Sequence, residues 1–221
     1  MSKTLKKPII SFDLDGTLMK PGFGDKVWLE GLPRIYAITH NLDIEEAKKQ
    51  LISAYDTIGQ SRREWYDLSY WIKSLDLRIT PEELLTNFIH DIEPYPDVVD
   101  VIKRLSKKYR LVISSAAMKP FITIELKTTK LDKYFSEFFS ATSDTHTVKK
   151  DPYFYQMIID RLKCQPQEIV HVGDNYEFDY LSPIKAGLHA FYLDRSTQST
   201  NEKTVRSLTE FEEKITKYLF H

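Results

Sequence analysis

Three short apolar, β-branched runs punctuate the sequence and stop abruptly at small or charged residues: Pro8–Asp13, Arg110–Ser114 and Glu168–Val172. A strand with one wet face alternates polar and apolar residues. Runs without alternation suit a parallel sheet covered on both faces. His189–Leu193, which follows Gly187, is a fourth candidate strand, and the stretch around Phe138–Ala141 is an ambiguous fifth. Helical patterns lie between them, opened by Pro96-Asp97 for Val98–Leu105, by Lys119-Pro120 for Phe121–Thr128 and by Asp151-Pro152 for Tyr153–Leu162. Proline fits the first turn of a helix, where its missing N–H costs no hydrogen bond. Gly187 reads as the left-handed stop of a helix beginning near Glu177, and Thr209 with Glu212 as a capping box for the last helix. Strands alternating with helices predict an α/β fold, a doubly wound parallel sheet made of right-handed βαβ units.

From about Phe23 to Asp91 this rhythm breaks. Helical patterns run through Trp28–Tyr36, from Asp43 with Glu46, through Arg62–Leu75 and from Thr80, where Thr80 and Glu83 form a capping box. The expected organisation is therefore a core made of residues 1–20 and 93–221, with a small all-α unit of four helices inserted over 21–92. Trp28, Tyr36, Trp65, Tyr66, Tyr70 and Trp71 concentrate aromatic side chains in that unit, either as its core or facing a substrate cleft.

Composition excludes several function classes. The 31 Lys+Arg against 32 Asp+Glu leave a net charge of −1 on 221 residues, unlike the strongly basic surface of a nucleic-acid binder. The apolar run behind the basic N-terminal residues is cut at once by Asp13, so no secretory signal reads there. No apolar stretch approaches the ~18–20 residues of a membrane helix. The single cysteine, Cys164, has no partner for an internal disulfide, which points to a reducing, cytoplasmic setting. No GxxxxGK[ST] or GxGxxG is present.

With only seven glycines in the chain, their positions carry information. Gly16 follows Asp15 in Phe12-Asp13-Leu14-Asp15-Gly16-Thr17-Leu18, and Gly173 precedes Asp174 in Val172-Gly173-Asp174-Asn175. Both place carboxylates at the carboxyl end of a buried strand, the edge where open α/β sheets bind ligands. Asp13 and Asp15, joined by Asp174 and Asp179, would repel one another unless a cation intervenes. A hard divalent ion such as Mg²⁺, with oxygen ligands and room for water and phosphate oxygens, suits that set. Each motif also has a plainer reading. Asp15-Gly16 fits a type I′ turn, and Asp174 with Asp179 fits the capping of a helix N-terminus. His171, inside a strand, reads as a packed, hydrogen-bonded core residue, and Gly59-Gln60-Ser61-Arg62-Arg63 as a polar loop, solvated or reaching the far end of a substrate.

Taken together, FDLDGTL after the first strand, Ile113-Ser114 after the second, Lys149, and Gly173-Asp174 followed by Asp179 resemble the four motifs of the haloacid dehalogenase (HAD) superfamily, in that family's order. The helical insertion sits where a C1-type cap sits in the family. The resemblance implies a Mg²⁺-dependent phosphomonoester hydrolase acting on a small phosphorylated metabolite. Asp13 would be the nucleophile and Asp15 the general acid and base, while Ser114, with Ser115 as a second contact, would bind phosphate. Lys149 would neutralise the transferring group, and Asp13, the Asp15 carbonyl, Asp174 and Asp179 would form the metal site. Two departures stand out: the third motif is Lys149-Lys150 where the family commonly has Lys-Pro, and the second is Ser114-Ser115 where Thr-Asn is frequent. Lys149 is chosen because the Asp-Pro that follows keeps the usual offset. A sugar-phosphate mutase with the same site and a phosphate-binding protein without turnover are the alternatives. Within the superfamily, Asp15 argues for phosphate esters over carbon–halogen bonds, since an alkoxide needs a proton and a halide does not.

Overall fold

The computed structural model describes residues 7–145, 147–196 and 201–215. The basic residues 1–6 lie outside them. Six strands form the sheet: β1 (Ile9–Phe12), β2 (Arg110–Ser115), β3 (Phe135–Ser140), β4 (Ile169–Gly173), β5 (His189–Leu193) and β6 (Thr204–Val205). Their order is β3-β2-β1-β4-β5-β6, and every pairing is parallel. The expected doubly wound sheet is present, with the ambiguous fifth run extended to Phe135–Ser140 as β3. The two-residue β6 is too short to leave a periodic trace in the sequence.

All four residues of β1 are buried because each face of the strand meets helices. On one face, Ile10, Phe12, Ile113 and Val172 pack with α6 (Val98–Lys108), α7 (Lys119–Thr128) and α10 (Leu208–Ile215). On the other, Ile9, Val112 and Ile169 pack with α8 (Pro152–Leu162). The period of two along a strand then puts Ser11 and Asp13 on the α8 side, together with Ser114 and His171. Strand order reverses at β1, between β2 and β4. That switch point opens a crevice at the carboxyl ends of the strands.

Between β1 and β2 the chain builds the helical unit: α1 (Phe23–Lys26), a π-helical turn (Val27–Gly31), α2 (Leu32–His40), α3 (Ile44–Ile58), α4 (Leu68–Ser74) and α5 (Pro81–Thr86). The capping box of Thr80 with Glu83 forms as expected, and Asp43 caps α3. The continuous helix expected over Arg62–Leu75 is broken. Residues Arg63–Tyr66 make a 3₁₀ turn, and the Asp67 carboxylate accepts the N–H groups of Ser69 and Tyr70 to start α4 afresh. The unit has its own apolar cluster, including Val27, Leu51, Leu68, Trp71 and Leu84, to which Phe121 of α7 also belongs.

Entry and exit of the unit lie side by side. The Lys20 N–H donates to the Glu93 carbonyl at 2.8 Å, the Tyr95 N–H to the Leu18 carbonyl at 3.0 Å, and the Lys20 ammonium meets the Glu93 carboxylate at 2.5 Å.

The helix expected from Glu177 is a π-helical turn, Tyr176–Leu181, followed by α9 (Ser182–Lys185), and it ends at Gly187 with φ +90°. The last helix also differs in its cap. The Ser207 hydroxyl accepts the Glu210 N–H, Asp97 accepts the Leu208 N–H at 2.7 Å, and Glu212 is taken by Arg104, so Thr209 and Glu212 form no capping box. Among the described residues no helix is long and apolar enough to cross a membrane.

Candidate active site

Asp13 is the first residue after β1, and its N–H continues the ladder to the Val172 carbonyl at 3.0 Å. The backbone then coils tightly, with the Leu14 carbonyl accepting the N–H groups of Thr17, Leu18 and Met19 at 3.2, 2.8 and 2.9 Å. Both neighbours of β1 are parallel, so Asp15-Gly16 makes no hairpin. Asp174 directly follows β4, and Asn175, rather than Asp174, caps the turn beyond it.

The two glycines singled out in the sequence are what let these loops meet. A Cβ on Gly16, whose φ is +81°, would lie 2.3 Å from an Asp174 carboxylate oxygen. One on Gly173 would lie 2.4 Å from the Asp179 carboxyl carbon. Any side chain at either place would occupy the carboxylates' own space.

Asp13, Asp174 and Asp179 each offer one carboxylate oxygen within 4.8 Å of the others. The Thr17 hydroxyl bridges Asp13 and Asp174, 3.3 Å from each. Burial pushes Asp13 up, the charges of Asp179 and Asp174 add to the rise, and Lys150 opposes it. Asp174 is raised for the same reasons, burial and then Asp179. This crowding is what a divalent cation relieves, and an all-oxygen donor set fits Mg²⁺. Asp179 is already engaged: its Oδ2 accepts the Asn175 N–H at 3.0 Å, and its Oδ1 faces Lys150 and His171. It therefore supports the cluster from behind, whereas Asp13 and Asp174 face the crevice.

Here one expectation is corrected. Lys149 is exposed, its ammonium 5.5 Å from the Phe178 ring, and it reaches no carboxylate of the cluster. Lys150 is the buried lysine, 4% exposed, with Nζ 2.5 Å from Asp13 Oδ1 and a second ion pair to Asp179. The cause is the start of α8. The Asp151 carboxylate accepts the Phe154 N–H at 3.0 Å, which makes Asp151 the N-cap and Lys150 the residue before it. A residue in that position is often turned back onto the first turns of the helix, and here the fourth helical residue is the fully buried Tyr155. Burial acts to lower Lys150, but Asp13 and Asp179 outweigh it and hold the ammonium charged. The same ammonium, with His171, holds Asp179 down to about 2 against its burial.

The serines also divide differently from expectation. Ser114 is fully buried and belongs to a chain of polar groups beneath the site. The direction that satisfies every member runs from the Ser114 hydroxyl to Ser11 (2.6 Å), from Ser11 to His171 Nδ1 (2.8 Å) and from His171 Nε2–H to Asp179 Oδ1 (3.0 Å). Burial lowers His171, so the ring is neutral, the packed core residue expected. Ser115, at the end of β2, accepts the Ala117 N–H at 3.0 Å and keeps its own proton to give.

Asp15 opens into a cavity of about 410 Å³ whose wall includes Trp28, Trp65 and Tyr66 of the helical unit and Glu125 of α7. Asp15 is exposed to solvent, yet the protein packed around its carboxyl group weakens its solvation and, with the charge of Asp174, raises it to about 6 even though Lys150 opposes the shift. Of the other aromatics noted in the sequence, Trp71 is core, and Tyr36 and Tyr70 are half-buried against the unit's apolar cluster, with the Tyr36 hydroxyl donating to Gln50. Tyr55, Phe121 and Glu125, which also line the cavity, carried no motif to flag them.

Comparison with known proteins gives a consistent result. The family model for haloacid dehalogenase-like hydrolases matches residues 8–187. The chain is 26% identical over 199 residues to the pyrophosphatase PpaX of Oceanobacillus iheyensis, covering 87% of this chain and 86% of that protein. It is 30% identical over 115 residues to the (S)-2-haloacid dehalogenase 4A of Burkholderia cepacia, 52% of this chain and 49% of that protein. Among solved structures, a HAD phosphatase from Thermococcus onnurineus superposes with a TM-score of 0.73 at 26% identity, covering 95% of this chain and 97% of that one.

Proposed function

The chain belongs to the haloacid dehalogenase-like hydrolases, and from that premise we propose that it is a Mg²⁺-dependent phosphomonoester hydrolase working through a phosphorylated Asp13. Asp13 attacks phosphorus in line, the P–O bond to the alcohol breaks, and Asp15 gives its proton to the departing alkoxide. Asp15, now a carboxylate, takes a proton from water as that water attacks the aspartyl-phosphate, and release of phosphate restores both residues. A group that titrates near 6 serves both directions at neutral pH. Asp13, the Asp15 carbonyl and Asp174 would hold Mg²⁺, which would screen the negative nucleophile from the negative phosphate. Lys150 neutralises Asp13 and the phosphoryl oxygens, and Ser115 donates its hydroxyl to one of them. The helical unit, residues 21–92, acts as the cap that closes over the alcohol part of the substrate.

The observation that carries this reading is the position of Asp15, which stands in the wall of the cavity two residues beyond Asp13. A carbon–halogen hydrolase has no use for an acid there. The test is release of phosphate from p-nitrophenyl phosphate. Chelation by EDTA is expected to lower the rate about a hundredfold and added Mg²⁺ to restore it, while 2-chloropropionate yields no chloride. Turnover indifferent to chelation, or steady chloride release, would remove the proposal.

A further inference from the structure

The cavity beside Asp15 is built to a particular chemistry. Five aromatic rings line it: Trp28, Tyr55, Trp65, Tyr66 and Phe121. They brace one another. Trp28 stacks on Phe121 with centroids 6.0 Å apart, Tyr55 meets Trp28 edge-on at 6.1 Å, and Trp65 lies 6.3 Å from Tyr55. The Tyr55 hydroxyl is fixed on the Trp28 carbonyl at 3.1 Å. The rings are thus held in place without a ligand.

Every charged residue in the described wall is acidic: Asp15, Asp25 and Glu125. The arginines that the sequence offered for the far end of a substrate are elsewhere. Arg62 pairs with Glu64, and Arg63 Nε donates to the Thr142 carbonyl at 3.1 Å. Glu125 is the least expected member. It is 1% exposed, and its Oε2 has no hydrogen-bond partner. Burial, with smaller contributions from Asp15 and Asp13, pushes it up to about 10. An apolar residue at that place in α7 would avoid the loss of solvation, so the carboxyl group is best accounted for by something that enters the cavity and pairs with it.

From this juxtaposition of an aromatic wall with an unpartnered buried carboxyl group, we propose that the alcohol part of the substrate carries an ammonium group. The enzyme then hydrolyses phosphate monoesters of amino alcohols, an inference that rests on the phosphomonoesterase reading above. The rings face the cation and Glu125 is its counter-charge. Aromatic faces attract ammonium ions, most strongly where water is excluded. The cation supplies the counter-charge that this carboxyl group lacks and draws Glu125 into its ionised form. A leaving group with a carboxylate or a second phosphoryl group would set negative charge beside the Asp25 carboxylate and meet no cation in the described wall, which sets this cavity against the pyrophosphate chemistry in the name of the Oceanobacillus relative.

The test compares kcat/KM for phosphocholine with that for its uncharged carbon isostere, 3,3-dimethylbutyl phosphate, and for phosphoglycolate. Phosphocholine is expected to exceed the isostere by about tenfold or more, and phosphoglycolate to fall below both. In Glu125→Gln the ratio of phosphocholine to isostere is expected to drop towards one. Both rates come from the same preparation, so a loss of folded protein divides out. Equal rates for the two esters, or a ratio that Glu125→Gln leaves unchanged, would overturn the inference while the phosphatase reading stands. A binding measurement separates the two further. Choline alone is expected to quench the tryptophan fluorescence of the full chain at about tenfold lower concentration than 3,3-dimethylbutan-1-ol. That preference supports a cation site even if none of the esters is hydrolysed, and its absence refutes one.

Discussion

Asp13→Asn is expected to abolish phosphate release, lowering kcat by about 10⁵-fold or more, the scale seen when an enzyme loses its nucleophile. The amide has nearly the shape of the carboxylate but is neutral, and its oxygen is too weak a nucleophile to attack phosphorus. Its effect on folding should be slight or favourable. Asp13 is 5% exposed and crowded by Asp174 and Asp179, so a neutral group there relieves repulsion, and Lys150 keeps Asp179 as a partner. What should disappear with the activity is the upward shift of melting temperature on adding Mg²⁺, because a ligand that binds only the folded state stabilises it. Retention of one per cent or more of the turnover would assign the nucleophile elsewhere.

Lys150→Met should lower kcat/KM for p-nitrophenyl phosphate by about a thousandfold, the upper range for losing one donor to the transition-state charge. It also strips the ammonium that pairs with two buried carboxylates, Asp13 and Asp179. Removing one member of a buried ion pair costs about 3–5 kcal/mol. For a chain of this size that is a fall in melting temperature of roughly 6–20 °C. Mg²⁺ should recover part of the stability and little of the rate. Lys149→Met is the control: this exposed side chain has its ammonium over the Phe178 ring, and the substitution should leave the rate within about twofold and the melting temperature nearly unchanged. Reversal of the two phenotypes in steady-state kinetics would restore Lys149 to the site.

Strands β1, β2, β4 and β5 were legible because they are short, apolar and abruptly ended, and the carboxylates because Asp15-Gly16 and Gly173-Asp174 follow such runs directly or within three residues. The choice between Lys149 and Lys150 was misread by counting from Asp151-Pro152 rather than building from it. With Asp151 as the N-cap, the residue just before it sits where chains often turn a side chain back onto the helix, and the ion pairs of Lys150 to Asp13 and Asp179 show that it points inward. Ser114 and Ser115 differ by one residue in a strand, hence by one face of the sheet. Only the neighbours Ser11 and His171, brought in from β1 and β4, show that the Ser114 hydroxyl is spoken for. Glu125 left no trace, since a glutamate in a helical pattern ordinarily marks the solvated side. Tyr55 and Phe121 face the cavity through contacts between elements that no local spacing reports.

The paired segments at Lys20 and Glu93 bear on how such an enzyme changes its diet. Because the chain leaves the sheet and returns to it within hydrogen-bonding distance, everything between those residues hangs from a single stem. Chain ends held so close tolerate insertion and replacement well. A different bundle spliced onto the same stem would meet an unaltered phosphate end, so a new leaving group is reachable by transplanting one contiguous stretch of gene, with no need to rebuild the carboxylates.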